Sequence, residues 1–544
     1  MSLPVMTRRQ TQEIRLSETR AAQALPGASR DPVSCDVLVV GGGINGAGIA
    51  RDLAGRGLAV WLCEKDDLAQ HTSSSSTKLI HGGLRYLEYY EFGLVRKALA
   101  ERELLLKSAP HIMRPLRFVM PHDPSMRPVW MIRAGLFLYD HLAHREWLPG
   151  SQAVSLRSHP AGAPLKPQFT RGFVYSDGWV DDARLVVLNA VDAVAHGATV
   201  LTRCLCERAE RAASGWRAVL RCADGRAHHV QARALVNAAG PWAAQFLREH
   251  AGIAVPKALR LIKGSHIVVR KLFDHEYAYI FQNADRRIIF AIPYEGEFTL
   301  IGTTDVETQA PIGEARIDAD ETRYLCEQAS RYFARAVVPA DVVWSYAGVR
   351  PLLDEAGDAA SVTRDYLLEL DTAGGAPLLN VWGGKITTFR KLAEEAAELL
   401  RASLGVTAAP WTARAALPGG DLSGWIRPSG RPDRDIAAFD VELAKRQPEL
   451  PAAVRQRWVR SYGARVSTLL EQPLGAEVAP GLHEGELRFL RQHEWARSPD
   501  DVLWRRSKLG LHYGDGERAQ VQRWWQQHAA DALPASAAME PSWN

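Results

Sequence analysis

The chain has 544 residues, which is too long for one compact core and predicts two or three domains. Its 66 basic residues nearly balance its 62 acidic ones, and 47% of the residues are hydrophobic, as in ordinary soluble globular proteins. This balance excludes a dedicated nucleic-acid binder, and no apolar run is long enough for a membrane-spanning helix. Six cysteines without a C-x-x-C pair predict reduced core residues and no metal site.

The first folded segment has the spacing of a dinucleotide-binding βαβ unit. An apolar run, Val37–Val40, leads into Gly41, Gly43 and Gly46 at G-x-G-x-x-G spacing, and a helix-like segment then leads to a second apolar run that ends at Glu64. Gly41 allows a tight turn, Gly43 leaves room for a pyrophosphate, and Gly46 lets the helix pack closely on the strands. A carboxylate at Glu64 can accept both hydroxyls of an adenosine ribose, so the unit predicts a bound dinucleotide.

The position of this unit favours FAD over NAD. A single fingerprint near the start of the folded chain serves the whole protein, which suits a FAD enzyme. The amide groups at the start of the helix would face the phosphates. The residues of this unit that we expect to contact FAD are Gly41, Gly42, Gly43, Ile44, Asn45, Gly46, Glu64 and Lys65.

A loop of small hydroxyl residues follows the unit. Thr72–Thr77 offers short hydrogen-bond donors for a pyrophosphate and a ribitol, although a flexible serine-rich linker would have the same composition. The next residues argue against flexibility, because Lys78, His81, Arg85 and Tyr86 crowd polar groups beside glycines and apolar residues. The cofactor contacts that we expect from this stretch are Thr72, Ser73, Ser74 and Lys78.

Several long and unusual strings stand in a fixed order along the chain. They are GGGINGAGIARD (41–52), SSSSTKLIHGGLRYLEYYEF (73–92), WVDDARL (179–185), RLIKGSHIVV (260–269), IGTTD (301–305), GVRPL (348–352) and GGKITTFRKLAE (383–394). Together they resemble the FAD-dependent, quinone-reducing glycerol-3-phosphate dehydrogenases of the aerobic bacterial type. The resemblance covers residues 36–530, which is nearly the whole chain.

This resemblance implies an α/β fold in which a FAD-binding Rossmann-like βαβ domain is interleaved with an antiparallel-sheet substrate domain and followed by a C-terminal helical domain. Strand-like runs between Phe173 and Thr303 fit such a sheet, although composition alone would allow an unrelated inserted β domain. The parts that we expect are a flexible N-terminal tail (1–34), the interleaved FAD- and substrate-binding domains (35–407), a Pro- and Gly-rich linker (408–435), the helical domain (436–530) and a C-terminal tail (531–544).

The most apolar window of the chain is Val129–Leu142. Arg133 and Asp140 interrupt it, and it is too short to span a bilayer. A core helix is one interpretation. The other is a helix that lies on a membrane surface, with Trp130 and Phe137 among nearby basic residues.

Two later motifs complete the predicted cofactor site. Ala234–Trp242 resembles the second flavin-contacting motif of two-dinucleotide-fold flavoproteins, although a buried strand that runs into a turn explains it equally well. The Gly-Gly-Lys turn at 383–385 lies between a strand and a helix whose N-terminus could face the flavin pyrimidine ring. The expected contacts here are Gly240, Gly383, Gly384, Lys385, Ile386 and Thr387.

The resemblance implies oxidation of sn-glycerol 3-phosphate to dihydroxyacetone phosphate, with hydride transfer to FAD and electrons passed to ubiquinone or a related quinone. It places the following residues around the substrate: His81, Arg85, Tyr86, Arg350, Arg364 and Lys385. Of these, His81 is the first candidate for proton transfer because imidazole titrates near neutral pH. Lys385 with a lowered pKa, or transfer assisted by Arg350, is the alternative.

We expect Arg350 and Arg364 to bind the substrate phosphate, because a guanidinium offers paired donors to a phosphate dianion. Alternatively, one or both pair with the nearby carboxylates Asp354, Glu355 or Asp365.

Two rival functions stay open at this stage. The first is an oxidase of the same fold that gives electrons to oxygen, and the second is a flavin-binding scaffold or sensor without turnover. The resemblance implies a cytoplasmic protein on the inner face of the cell membrane, held peripherally, and allows a homodimer. No nucleic-acid partner and no metal is expected.

Overall fold

Two large β-sheets and a mainly helical C-terminal region that carries a small two-stranded sheet make up the fold. The computed structural model describes residues 32–123, 127–255, 257, 259–283, 285, 287–353 and 365–528. Residues 1–31 of the predicted N-terminal tail, the whole predicted C-terminal tail 531–544, and the residues Asp354, Glu355 and Arg364 lie outside this part.

The described strands are numbered in chain order. They are β1 (Val33–Val40), β2 (Val60–Cys63), β3 (Leu79–Ile80), β4 (Met113–Pro121), β5 (Gln152–Ser155), β6 (Arg171–Val180), β7 (Thr199–Leu201), β8 (Cys204–Arg211), β9 (Trp216–Cys222), β10 (Ala227–Asn237), β11 (Leu259–Arg270), β12 (Ala278–Gln282), β13 (Ile288–Tyr294), β14 (Phe298–Gly302), β15 (Val306–Glu307), β16 (Val342–Leu353), β17 (Leu367–Asp371), β18 (Leu378–Trp382), β19 (Glu477–Ala479) and β20 (Leu482–His483).

The described α-helices are numbered in the same way. They are α1 (Ile44–Gly55), α2 (Phe92–Ser108), α3 (Val129–His141), α4 (Asp182–Ala195), α5 (Ala243–Glu249), α6 (Ala319–Tyr332), α7 (Phe389–Leu404), α8 (Pro432–Arg446), α9 (Ala452–Tyr462), α10 (Val466–Leu470), α11 (Glu484–His493), α12 (Leu509–His512) and α13 (Asp515–Gln527).

The first sheet is built around β1. Its order is β17-β18-β10-β1-β2-β7, with β9 beside β10 and β8 beside β9. The pairs of β1 with β10 and β2, of β2 with β7, and of β10 with β18 are parallel. Parallel strands are covered on both faces, which explains why Val37–Val40 is a continuous apolar run. Each such side chain contributes about 1.5–3 kcal/mol on full burial. Helix α1 covers one face and packs against α4 and α7.

The second sheet is mainly antiparallel. Its order is β15-β11-β14-β13-β12-β4-β6-β3, with β16 paired to β11 and β5 paired to β6. Its strands β3–β6 leave the first sheet after β2, and β11–β16 leave it after β10, so the chain passes repeatedly between the two sheets. The predicted α/β fold with an interleaved antiparallel sheet and a helical C-terminal part is therefore confirmed.

The cysteines differ from expectation in one pair. Cys204 on β8 and Cys222 on β9 are direct neighbours in the antiparallel register and form a disulfide, whereas we expected every cysteine to be reduced. Their separation of 18 residues matches no motif, so the pairing depends on the hairpin register. The buried free thiols are Cys35, Cys63, Cys206 and Cys326.

The stretch that we expected to be a linker is held against the first sheet's helices. Trp411 donates from its indole N–H to the carbonyl of Asp52 on α1, 3.1 Å away, and the amide of Leu417 donates to the carbonyl of Ser108 at the end of α2, 2.7 Å away. The helices that follow, α8–α13, enclose their own apolar core around Phe439, Trp458 and other large side chains.

Helix α3 lies on the surface of the protein rather than in its core, and the membrane contact of its second interpretation stays a prediction. Only Leu136 and Tyr139 of this helix are buried, whereas Trp130 is 68% and Phe137 is 65% exposed. Within the described part of the chain, every helix is too short or too polar to traverse a bilayer.

Buried ion pairs join the C-terminal region to the rest of the protein. Glu494, at the end of α11, accepts hydrogen bonds from Arg184 of α4 and from Arg465. Both guanidinium groups and the carboxylate are almost fully buried. Burial raises the pKa of Glu494, but attraction to the two arginines outweighs this effect and lowers the pKa to about 2. A second pair, between Arg506 and Asp67 at 2.6 Å, is also fully buried.

Glu494→Gln should destabilise the protein by about 3–5 kcal/mol at neutral pH, because two buried guanidinium groups would lose their shared carboxylate. Urea unfolding followed by tryptophan fluorescence measures the effect. The same group makes the stability depend on pH: its contribution is present above pH 4.5, the ordinary pKa, and is lost as the pH falls toward about 2.

The control is Glu210→Gln on β8, where the exposed carboxylate pairs with the exposed arginines Arg208 and Arg217. It should change the free energy of unfolding by less than about 0.5 kcal/mol. Equal effects of the two substitutions would contradict the structural role of the buried carboxylate.

Candidate active site

Two connected cavities lie where the ends of β1 and β10 meet the second sheet. The Glu64 cavity, about 360 Å³, is lined by Gly41, Gly43 and Glu64, whereas the predicted contacts Gly42 and Gly46 are not among its described lining residues. The His81 cavity, about 490 Å³, is lined by His81, Arg350 and Lys385. The residues that line both cavities are Ile44, Thr72, Ser73, Pro351, Gly383 and Gly384. One elongated ligand can therefore pass from the first cavity into the second.

The glycine fingerprint is required by close backbone contacts. Gly41 has a φ of +109°, and a Cβ on Gly46 would lie 1.9 Å from the carbonyl oxygen of Gly41. A Cβ on Gly43 would lie 3.0 Å from the Oγ of Ser73. Helix α1 begins directly after Gly43, which has no side chain to cap it, and Ile44 and Asn45 of its first turn line the cavity. This geometry suits a pyrophosphate.

Glu64 stands at the end of β2 and lines the cavity named after it. Its Oε2 accepts the amide N–H of Gly42 at 2.7 Å, and its Oε1 accepts that of Asp66 at 2.8 Å. Burial raises the pKa of Glu64, and these two hydrogen bonds oppose the rise. Lys65 lines the same cavity, but its ammonium group pairs with Asp66 and lies 4.3 Å from the ring centroid of Trp242.

The hydroxyl loop divides into residues that face the cavities and residues that support it. Thr72 and Ser73 line both cavities, and the Oγ of Ser73 accepts the amide N–H of Ile44 at 3.0 Å. Ser74 and Lys78 are not among the described residues that line either cavity. The ammonium of Lys78 is fully buried, 2.8 Å from Asp182, because the tertiary fold places that carboxylate behind the loop.

The second glycine-rich turn closes the site from the opposite side. Gly383 and Gly384 have φ values of +71° and +105° and line both cavities. The side-chain amide of Asn45 donates to the carbonyl of Gly383 at 3.1 Å, which ties this turn to the start of α1. The Oδ1 of Asn45 is buried without a hydrogen-bond partner among the described residues and can accept one from a ligand. Gly240, with a φ of +56°, lines the Glu64 cavity.

His81 follows the edge strand β3 and faces the His81 cavity. Its amide N–H donates to the Oγ1 of Thr387 at 3.3 Å, and Ile386 and Thr387 line the cavity beside it. Burial lowers the pKa of His81 from its ordinary 6.5; Asp177 opposes this and Lys385 adds to it. The imidazole is therefore neutral at neutral pH.

Cationic and aromatic groups surround His81. The ammonium of Lys385 lies 3.9 Å from the ring centroid of Tyr86, and an Arg85 Nη2 lies 3.3 Å from the hydroxyl of Tyr89. All four residues line the same cavity. The predicted substrate residues that the structure describes thus converge on one volume.

Arg350 reaches the cavity from β16 and has a carboxylate partner that sequence reasoning did not name. It forms an ion pair with Asp305, and it donates to the carbonyl of Thr304 at 3.3 Å. Of the carboxylates that we considered, Asp365 forms an ion pair with Lys97 at 3.2 Å. Arg364 lies outside the described residues.

His266 is a lining residue that sequence reasoning did not single out. Its Nε2 lies 2.9 Å from the Oγ1 of Thr77, its ring stacks on Tyr346, and its Nδ1 is buried without a partner among the described residues. Burial lowers its pKa well below 6.5, with smaller contributions from Lys78 and Arg350. The sequence feature that could have pointed to His266 is a single histidine next to the apolar residues of β11.

Two family models match the chain. The model described as FAD dependent oxidoreductase matches residues 36–390, and the model described as the C-terminal domain of alpha-glycerophosphate oxidase matches residues 411–531. Together the two matches account for both β-sheets and for the helical C-terminal region.

Full-length relatives and a solved structure agree with these models. The glycerol-3-phosphate dehydrogenase of Pseudomonas aeruginosa is 51% identical over 90% of this chain and 95% of its own length. The D-erythritol 1-phosphate dehydrogenase of Brucella abortus is 48% identical over 91% of this chain and 98% of its own length. The X-ray structure of the glycerol-3-phosphate dehydrogenase from Bacillus halodurans complexed with FAD has a TM-score of 0.70 at 26% identity, covering 93% of this chain and 96% of that one.

Fold, site and matches define the chain as a FAD-dependent oxidoreductase, and the predicted cofactor is confirmed. More narrowly, the chain belongs to the family of glycerol-3-phosphate dehydrogenases. The described residues fit FAD for two reasons. Gly41 and Gly43 line the cavity without side chains that would fill it, and the buried Oδ1 of Asn45 has no hydrogen-bond partner among the described residues.

Gly43→Val should abolish FAD binding, because its side chain would meet Ser73 and enter the space beside the start of α1. The measurement is the flavin absorbance per protein after desalting, with circular dichroism to verify folding. Gly93→Val is the control, since a Cβ there meets nothing within 4 Å. Acid precipitation of the unmodified protein should release its flavin. A Gly43→Val protein with normal flavin content would contradict the assignment.

Proposed function

We propose that this protein oxidises sn-glycerol 3-phosphate to dihydroxyacetone phosphate and passes the electrons to a membrane quinone. The observation that carries the proposal is the convergence of His81, Arg350 and Lys385 on one cavity that opens into the FAD site. FAD supplies the hydride acceptor for the hydrogen on C2 of the substrate. The chain must bind the phosphate, orient C2 and take the proton of the C2 hydroxyl.

His81 is our candidate for that proton. An imidazole must be neutral to accept it, and burial keeps His81 neutral at neutral pH. Its ring faces Phe290 edge-on, with 6.4 Å between the centroids, which limits its movement. Lys385 is the alternative base, and its ammonium would then need to lose its proton beside Tyr86. His266 is a third candidate and the second neutral imidazole in the same cavity.

Arg350 is our candidate for binding the substrate phosphate. Its guanidinium is partly exposed to the cavity, and Asp305 holds it from one side. A phosphate dianion would have to share this guanidinium with Asp305 or displace it, so further positive charge from Lys385 or Arg364 is needed. Because the phosphate lies away from C2, holding it also orients the reacting carbon.

One relative's name supports a second candidate substrate. D-erythritol 1-phosphate is a longer polyol phosphate, and the dehydrogenase named for it is 48% identical to this chain. The ratio of kcat/KM for the two phosphates distinguishes the candidates, and our proposal expects glycerol 3-phosphate to be preferred.

Electron transfer to a quinone fits an exposed aromatic face beside the cavity. We use this name for Tyr89, Tyr90, Phe92, Trp130 and Phe137, which are 41%, 79%, 39%, 68% and 65% exposed. Tyr89 also lines the His81 cavity, and α3 packs against the turn that ends at Tyr89. Aromatic side chains of this kind anchor proteins in the lipid interface. We infer peripheral attachment to the inner face of the cell membrane; a homodimer stays a prediction.

His81→Asn should lower kcat/KM by roughly 100- to 10,000-fold while the protein keeps its FAD, as expected for loss of a general base. In the unmodified enzyme, kcat/KM should fall only below pH 6.5, because a lowered pKa keeps the imidazole neutral down to that range. His229→Asn, on an exposed part of β10, is the control. If His81→Asn keeps the kcat/KM of the unmodified enzyme and the same fall in kcat/KM at low pH, this histidine is not the base.

Arg350→Ala should keep FAD and lose about 1.5 kcal/mol or more of transition-state stabilisation, about tenfold in kcat/KM. Arg350→Lys should recover only part of this loss, since lysine keeps the charge without the paired donors. Arg287→Ala is the matched control, because Arg287 lines the same cavity but pairs with Asp285 and covers the ring of Tyr324. Similar losses at both arginines, or none at Arg350, would contradict the phosphate assignment.

The acceptor is tested by comparing quinone and oxygen. With glycerol 3-phosphate, the holoenzyme on vesicles that contain ubiquinone should reduce the quinone and form little peroxide in air. Omitting the vesicles should slow turnover with a long-chain quinone but not with a soluble analogue. Peroxide formed in proportion to substrate, without any need for quinone, would instead establish the oxidase that the C-terminal family's description names.

A further inference from the structure

A network of buried polar side chains lies behind the loop that carries His81. The amide N–H of the next residue, Gly82, donates to the hydroxyl of Tyr139 at 2.8 Å. That hydroxyl lies 2.8 and 2.9 Å from the two carboxylate oxygens of Asp177, and Arg102 donates to the same carboxylate at 2.8 Å. We call Tyr139, Asp177 and Arg102 the Tyr139 network. Its members come from α3, β6 and α2, so three distant segments meet behind one loop.

The hydrogen bonds of the Tyr139 network have a fixed direction. Burial, together with the nearby Asp177, raises the pKa of Tyr139 well above its ordinary value of 10, so the hydroxyl keeps its proton. A hydroxyl has one proton to donate, and a carboxylate beside a guanidinium accepts it. Tyr139 therefore donates to Asp177 and accepts from Gly82. The side chains of Arg102 and Asp177 are only 4% and 2% exposed, so water does not compete for these hydrogen bonds.

Gly82 is a glycine because Tyr139 approaches its backbone so closely. A Cβ at this position would lie 2.6 Å from the Tyr139 hydroxyl and 2.6 Å from Cδ2 of Leu99. Any side chain would therefore push the hydroxyl away from the amide that it binds. This contact accounts for the first glycine of the His-Gly-Gly string at 81–83, which is not among the described residues that line the Glu64 or His81 cavity.

The peptide groups on both sides of His81 are thus held by side chains from other parts of the fold. Its own amide N–H donates to Oγ1 of Thr387, and the amide N–H of Gly82 donates to Tyr139. Because a peptide group is planar, fixing its N–H fixes the orientation of the whole group. With both neighbouring groups fixed, the bond from Cα to Cβ of His81 has one direction, which leads into the cavity. A shift of about 1 Å in a catalytic group can cost about 100-fold in rate, so this support matters for the reaction.

We propose that Tyr139 and Asp177 are positioning residues, which hold the imidazole of His81 toward the substrate by fixing the peptide group between His81 and Gly82. The inference rests on the role in proton transfer that we propose for His81. Neither Tyr139 nor Asp177 is among the described residues that line the His81 cavity, so both act through the histidine. A purely structural role is the alternative, because Tyr139 also anchors α3, whose other buried residue is Leu136.

The test is the Tyr139→Phe holoenzyme, which loses one hydroxyl and keeps the ring. The rate constant for flavin reduction by saturating glycerol 3-phosphate, measured without oxygen, should fall about tenfold. The reason is that the amide of Gly82 would keep only a long contact with Asp177, at 3.4 Å. The substrate concentration for half-maximal reduction and the flavin content should stay the same, because the groups that we expect to bind phosphate and FAD are untouched.

Tyr294→Phe is the matched control. The hydroxyl of Tyr294 is also buried in the second sheet's core, but it has no hydrogen-bond partner among the described residues. Its loss should leave the rate constant unchanged. Asp177→Asn is the second variant, which keeps the shape of the side chain and weakens the acceptor for Tyr139. It should slow flavin reduction at least as much as Tyr139→Phe, with circular dichroism and flavin content to verify folding, since Arg102 loses its buried carboxylate.

A double-mutant cycle shows whether Tyr139 acts through His81. In the His81→Asn background, Tyr139→Phe should have little further effect on the rate constant, because the group that it positions is gone. The same loss in both backgrounds would overturn the positioning role. So would a Tyr139→Phe protein that is less stable to urea but reduces its flavin at the unmodified rate, since this result describes an anchor for α3 alone.

Failure of the proposed function gives different results. If the unmodified protein is not reduced by glycerol 3-phosphate, both the function and the positioning role are wrong. If it is reduced, and His81→Asn is reduced equally fast, the substrate is right but His81 is not the base, and the positioning role is wrong with it. If only His81→Asn is slow, the base is right and the role of the Tyr139 network is wrong.

Discussion

The close approach of Gly46 to the carbonyl of Gly41 fixes the direction in which α1 leaves β1. A Cβ at Gly46 would lie 1.9 Å from that oxygen, so any other residue would push the helix away from the sheet. The same contact sets the start of α1 beside the cavity, and Glu64 is held against this turn by the amide N–H of Gly42. The positions that we expect the phosphates, the ribose and the flavin to take all depend on this geometry.

The interleaving of the two sheets places the side chains that we expect to bind the substrate beside this cofactor site. His81 follows β3, Arg350 lies on β16, and Lys385 follows β18 of the first sheet, so the three come from segments that are far apart in the sequence. Because these segments meet only in the folded protein, the cavity can hold neutral imidazoles close to cations without a local sequence motif. Burial produces the neutral state of His81, and that state is what a proton acceptor for an alcohol requires.

Local patterns placed Gly41, Gly43, Glu64 and the turn at Gly383 on one cleft, because the spacing is set by one βαβ unit, whereas Gly46 packs against Gly41 outside the lining. The contacts of these residues with FAD stay a prediction. Contacts between distant segments were not predictable in this way. Lys78 pairs with Asp182 behind the loop, and Arg350 pairs with Asp305, because the register of the second sheet brings those carboxylates near. His266 was missed for the same reason, since one histidine in an apolar strand carries no spacing signal.

The central claim is that bound FAD accepts a hydride from glycerol 3-phosphate in this site. Its most direct test is the absorbance of the purified yellow protein when one equivalent of glycerol 3-phosphate is added without oxygen. We predict that the flavin band bleaches with glycerol 3-phosphate and is unchanged with glycerol, which lacks the phosphate. A flavin band that persists with glycerol 3-phosphate, or that bleaches only with D-erythritol 1-phosphate, would contradict the account.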